Sequence, residues 1–192
     1  TQINFVDLPN ASQSSISISN NVELKMNDED YHAALITNNI LGAGFTGYLY
    51  QNLRETHGYT YGAYSSLRAN RYGASRFNAT AKVINMLTDS AVVEALKEIN
   101  RIKTEPVDEQ LLKDTKAKYV GNFIMGLEKP QTVANYALNI KLNNLPADFY
   151  TTYLQKINAV TTDDVKRIAN KYFKSENARI VIVGKGSDAL EN

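Results

Sequence analysis

The sequence predicts an α+β fold: a mainly antiparallel sheet with helices packed on one face. Three observations carry this. Polar and apolar residues alternate with period two in SSISIS (14–19), and again across 59–67 and 75–83. The latter two segments flank Asn70, Arg71 and Gly73, the pattern of a β-hairpin. Helical periodicity fills most of the remainder, and the apolar run ARIVIVG (178–184) closes the chain as a buried strand.

Taken in order, the strand at 14–19 is followed by Asn27 and Asp28, either of which can cap a helix with an acidic first turn. Leu35, Ile36, Ile40, Phe45, Leu49 and Leu53 recur at spacings of three to five, predicting helix through Leu53. Gly42, Gly44 and Gly47 each weaken its middle by roughly 1 kcal/mol relative to alanine, so they imply a kink or a close backbone approach. Gly58 reads as the glycine that ends this helix before the hairpin. Helix resumes after Asn85, where Val92, Leu96, Ile99 and Ile102 form one stripe ended by Thr104-Glu105-Pro106. Asp108 caps the next helix, which carries Leu111, Leu112, Tyr119 and Phe123 and stops near Pro130. Further helices are predicted over about 131–142 and 147–157. Thr161 and Asp164 approximate a capping box for a last helix bearing Val165, Ile168, Ala169 and Tyr172. No linker or repeat divides the chain, so residues 1–192 are expected to form one domain.

Composition narrows the chemistry. With 43% hydrophobic and 21% charged residues this is an ordinary globular mixture, and a net charge of +1 offers no electrostatic case for nucleic acid. No apolar run approaches the roughly 20 residues that span a bilayer, and no signal-peptide pattern opens the chain. The first residue is Thr1, so a piece of a longer protein is expected. Without cysteine there is no thiolate zinc site and no cysteine nucleophile. Of the two histidines, His32 follows Glu29 and His57 follows Glu55, and neither pair forms HxxEH or HExxH. Each is expected on a solvated helix face or helix end, and no metal or cofactor is expected in this chain.

Gly42-Ala43-Gly44-Phe45-Thr46-Gly47 matches GxGxxG, a dinucleotide fingerprint that requires a strand before it and an acid about twenty residues on. Helix pattern precedes it, and no acid lies between Glu55 and Asp89, so close packing explains the glycines better. Arg54 and Tyr61 are the candidate site. A guanidinium and a phenol delivered from adjoining elements are donors suited to carbonyl oxygens. Arg54 at a helix C-terminal end also has a purely structural use, because the dipole there favours a cation.

The run LGAGFTGYLYQNLRETHGYTYGAYSS is similar to a segment of the pitrilysin-family zinc peptidases, typically LGGG-(F/M)-S-S-x-L-F-x-x-L-R-E-x-x-G-L-A-Y. Leu41, Gly42, Gly44, Phe45, Leu49, Leu53, Arg54, Glu55, Gly58 and Tyr61 fall on matching positions. Tyr59-Thr60 stands where Leu-Ala is common, and Ala43 replaces a glycine. VDLPNASQSSI at the start and ARIVIVG at the end extend the resemblance over essentially the whole chain.

The resemblance implies two similar domains facing each other across a chamber. The first holds zinc through HxxEH. The second lacks the ligands and contributes an Arg–Tyr pair. This chain has no HxxEH and resembles the second. By that resemblance Arg54 holds the peptide backbone near the scissile bond and Tyr61 hydrogen-bonds the scissile carbonyl. Zinc is expected in an N-terminal domain or partner subunit, and a peptide is the expected substrate. The chain by itself is expected to be inactive. A non-catalytic homologue kept for assembly is the rival reading, and a bacterial periplasmic or envelope setting is the expectation for location. Ser14–Ser19, polar on one face, is a further candidate as a sheet-edge strand that accepts a peptide by β-augmentation.

Overall fold

Alternating residues in five segments of the computed structural model build one sheet, and the described residues run from 1 to 189. The strands are β1 (Gln2–Asp7), β2 (Gln13–Val22), β3 (Thr60–Arg68), β4 (Ser75–Ile84) and β5 (Arg179–Gly184), arranged β1-β5-β2-β4-β3. All pairings are antiparallel except β1 with β5. β3 and β4 form the predicted hairpin. β1 lies outside the elements read from the sequence; among the described residues it pairs only with β5, a partner 177 positions away at Gln2↔Arg179.

β2 is corrected most. It is hydrogen-bonded to β4 on one side and β5 on the other, so it is a central strand and cannot accept a peptide by edge addition. The free edges are β1 and β3.

The α-helices of the described residues are α1 (Tyr31–Gly42), α2 (Tyr48–Tyr50), α3 (Thr88–Thr104), α4 (Glu109–Leu127), α5 (Pro130–Leu142), α6 (Tyr153–Ala159), α7 (Thr162–Tyr172) and α8 (Gly186–Ala189). One sheet face is apolar: Ile16 and Ile18 of β2, Ala63 and Leu67 of β3, Phe77 and Val83 of β4, and Ile180 and Ile182 of β5. It packs against Ile36, Ile40, Ile99, Ile102 and Ile168 of the helices in a single core. Asp108 accepts from the Leu111 amide at 2.8 Å, as the sequence predicts. The Thr161–Asp164 capping box is complete. Segment 147–152 is turn, so α6 starts later than its apolar spacing suggested.

The long helix ending at Leu53 is not continuous. α1 stops at Gly42, the chain turns through 43–47, and Phe45 is exposed. A Cβ on Gly42 would lie 2.8 Å from the Ser65 amide nitrogen of β3, and one on Gly47 would lie 2.8 Å from the Gly42 Cα. Backbone meets backbone at both points, which is the close approach the glycines implied.

Neither Asn27 nor Asp28 caps α1. Asp28 accepts from the Lys25 amide, and Asp30 occupies the cap position without a capping hydrogen bond. Asp30 instead ties α1 to α7, accepting from Arg167 and Lys171 at 2.6 Å each and from the Tyr172 hydroxyl at 3.0 Å. Burial opposes its charge, but these donors outweigh burial and hold its pKa down at about 2.

His32 is corrected as well. It is buried on α1 among aromatic rings, with centroids 4.8 Å from Tyr153, 5.2 Å from Phe149 and 5.5 Å from Tyr31. Its Nε2 has no hydrogen-bond partner among the described residues. Burial, reinforced by the nearby Lys156 charge, lowers its pKa from 6.5 to about 4. Because the folded value is depressed, the neutral form is favoured by folding. Its stabilisation is full above pH 6.5 and is lost as pH falls towards 4. The loss amounts to about 3 kcal/mol, from 1.36 kcal/mol per pKa unit. Urea unfolding at pH 7.5 and pH 4 is expected to show this drop, and His32→Phe to reduce it by that amount. An unchanged drop in the variant would remove His32 as its source.

Candidate functional site

Arg54 sits where the helix geometry loosens. After α2 the chain continues as a π-helical turn, Gln51–Thr56, in which the His57 amide reaches back to the Asn52 carbonyl at 3.1 Å. Such wide turns recur at functional positions. Gly58, at φ +65°, closes the turn, and the Tyr59 amide bonds the Leu53 carbonyl at 2.8 Å. This is a left-handed glycine cap that redirects the chain into β3. Leu53 is fully buried and anchors the turn, leaving Arg54 and Glu55 exposed. The guanidinium donates to the Tyr50 hydroxyl, lies 5.0 Å from that ring's centroid, and approaches Glu55 at 3.6 Å.

Tyr61 owes its position to a β-bulge. Thr60 pairs with Val83 and Ala63 pairs with Ala81, so Tyr61 and Gly62 together face the single residue Lys82. The Thr60 hydroxyl locks the bulge by donating to the Lys82 carbonyl at 2.6 Å and accepting from the Gly62 amide at 3.1 Å. Strict alternation would put Tyr61 on the side of Ala63. The extra residue turns it outward instead, and it is 85% exposed while Ala63 is buried. The same shift brings Tyr64 to the face of Tyr61, although residues three apart in a regular strand point to opposite sides.

Both tyrosines line a groove of about 620 Å³ on the helix-free face of the sheet, together with Ser15 and Ser17 of β2, Thr80 and Lys82 of β4, and Val181 and Val183 of β5. Arg54 does not line it. It connects through aromatic contacts, since the Tyr50 ring that it covers lies 6.4 Å from the Tyr64 ring. The structure therefore places Tyr61 in the groove and Arg54 outside its lining, in contact with Tyr50. Sequence reasoning missed Tyr50, Tyr64 and Lys82. The available signal was Gly62, since a glycine inside a strand pattern often marks a bulge.

The residues do not fit a zinc site. Among the described residues no three of His, Cys, Asp or Glu come together as metal ligands. His57 stacks on Tyr59 at 4.8 Å and approaches Glu94 at 3.6 Å, while His32 is enclosed by rings. No helix of the described residues is long and apolar enough to cross a membrane.

Comparison with curated protein sequences finds no match. Among solved structures, the peptidase M16 inactive domain from Pseudomonas fluorescens superposes with a TM-score of 0.88 at 21% identity, covering 96% of this chain and 43% of that one. The periplasmic protease PqqL from Escherichia coli gives 0.79 at 15% identity, over 96% of this chain and 20% of that one. A chain of complex III2 from Candida albicans gives 0.77 at 19% identity, over 99% and 47%. The chain thus spans less than half the length of each, and at these identities the likeness establishes the fold. The family profile described as peptidase M16 inactive domain matches residues 1–119, which include the whole Arg54–Tyr61 segment and four of the five strands. With that profile on the sequence and the same fold over nearly all the chain, this protein belongs to the peptidase M16 inactive-domain family.

Proposed function

We propose that this domain is the substrate-facing half of a zinc-dependent endopeptidase. It holds an extended peptide on the helix-free face of the sheet and completes a catalytic site whose metal is carried by an HxxEH domain or partner subunit. One observation carries the reading: a locked bulge directs the Tyr61 phenol out of the sheet at a groove, with its hydroxyl uncommitted to any protein acceptor among the described residues. A phenol there donates a hydrogen bond to a peptide carbonyl and holds it more strongly as negative charge develops on the oxygen. Arg54, outside the groove lining in contact with Tyr50, exchanges its Glu55 contact for a substrate backbone carbonyl on binding. The bacterial periplasm or envelope is the proposed setting, supported by the likeness to a periplasmic protease.

A second reading is a non-catalytic homologue retained for assembly. Arg54 favours it, since its guanidinium is already engaged by Tyr50 and Glu55 and stands outside the groove. The likeness to a complex III2 chain favours it too. The discriminating experiment is hydrolysis of a fluorogenic peptide by this chain assembled with its metal-binding half. Zinc-dependent cleavage, abolished by chelation and absent from the isolated domain, supports the first reading. An assembled protein that binds no zinc and cleaves nothing supports the second.

A further inference from the structure

The register of the sheet lets its helix-free face be written row by row. Tyr61 and Gly62 lie beside Lys82, then Ser15, Val183 and Val6. The next row is Tyr64, Thr80, Ser17, Val181 and Asn4, and the next is Ser66, Asn78, Ser19, Arg179 and Gln2. Arg68, Arg76 and Asn21 make the far row. The strand positions of this face therefore carry Lys82, Arg68, Arg76 and Arg179 and no carboxylate, although the chain as a whole is nearly neutral at +1.

Among the described residues the fold pairs none of these cations with a carboxylate. Arg179 bonds the neutral amide of Gln2, while Lys82, Arg68 and Arg76 make no ion pair among the described residues. Arg68 and Arg76 even stand directly opposite each other across β3 and β4, where like charges destabilise a sheet. An anionic ligand would relieve that repulsion. Lys82 and Arg76 are six residues apart on β4, so the two ends of the basic track are separated by ~20 Å at about 3.4 Å per residue. An extended peptide covers the same span in about six residues.

Resting on the peptide-binding reading above, we propose that this face selects acidic polypeptide segments. Lys82 reads a carboxylate next to the residue held by Tyr61, and the Arg68–Arg76 pair reads a second one about six residues away. The occupant is an extended acidic peptide because the track is hydroxyl-lined and spaced to strand geometry.

The test is fluorescence anisotropy of this chain with labelled twelve-residue peptides carrying two glutamates six apart, two glutamates two apart, glutamine at both places, or lysine at both. The six-apart acidic peptide is expected to bind at least tenfold more tightly than the glutamine peptide. That advantage is expected to vanish in the double variant Lys82→Glu, Arg76→Glu, and to persist in Lys113→Glu on the helical layer. All three side chains are exposed, and circular dichroism checks that the variants fold. Equal affinity for all peptides, indifference to glutamate spacing, or a preference surviving the double reversal would overturn the proposal. Equally tight binding of a single-stranded oligonucleotide of matched charge would also overturn it. Binding needs no turnover, so acidic selectivity in a protein without peptidase activity would refute only the catalytic reading. Charge-blind binding in an active peptidase would refute only this one.

Discussion

In the peptidase proposed above, Tyr61→Phe is expected to lower kcat for peptide hydrolysis by about 10²–10³-fold, the usual effect of deleting one donor to a developing oxyanion. KM should move little, because a hydrogen bond that strengthens in the transition state contributes mainly to kcat. Stability should not move at all. The Tyr61 side chain is 85% exposed, and its hydroxyl has no protein acceptor among the described residues, so removing one oxygen takes nothing from the fold. That combination separates a site residue from a packing residue. Tyr64→Phe is the informative companion: Tyr64 shares the groove but is not held at the bulge, and its loss should cost far less in kcat. A Tyr61→Phe enzyme with wild-type kcat would make the phenol incidental.

Phe77→Ala is expected to destabilise the domain by about 3–5 kcal/mol, the range for truncating a fully buried phenylalanine. Phe77 sits on the inner face of β4, and its ring lies 4.3 Å from that of Phe173, which follows α7. Both are essentially inaccessible, at 1% and 0% exposure, so the cavity left between sheet and helix has no solvent to fill it. Against a total stability of about 5–15 kcal/mol such a loss is large. Tyr72→Ala, on the hairpin loop at 87% exposure, should stay within about 0.5 kcal/mol of wild type. Urea midpoints for the two variants give the comparison, and a shift of under about 1 kcal/mol for Phe77→Ala would contradict the packing described. The consequence reaches the site, since β4 also carries Lys82, the residue that the bulge spans.

What was legible in the sequence is what local physics determines. The hairpin showed because alternation and turn residues are contiguous, and the caps at Asp108 and Thr161 showed because a side chain three residues from an amide has few other partners. The helical stripe from Val92 to Ile102 faces the core as its spacing required. Strand order was not legible. Burying β2 between β4 and β5 depends on a pairing of Ser19 with Arg179, and nothing near Ser19 encodes it. His32 looked solvated because its own helix turn is polar. The rings that enclose it arrive from α6 and the turn before it, more than a hundred residues later. The sequence presents Arg54 and Tyr61 as one pair of donors. Their actual relation, one in the groove and one outside it against Tyr50, follows from a π-helical turn and a β-bulge, each an irregularity of a single residue.

In the proposed function, substrate lies on the helix-free face beside Tyr61. The most direct measurement replaces Tyr61 with the photoreactive p-benzoylphenylalanine and, in a separate protein, Tyr72, which is equally exposed but on the hairpin loop. Irradiation with a labelled acidic peptide should cross-link the peptide at position 61 and leave position 72 unlabelled. Labelling at 72 alone, or equal labelling at both, would place the peptide away from Tyr61.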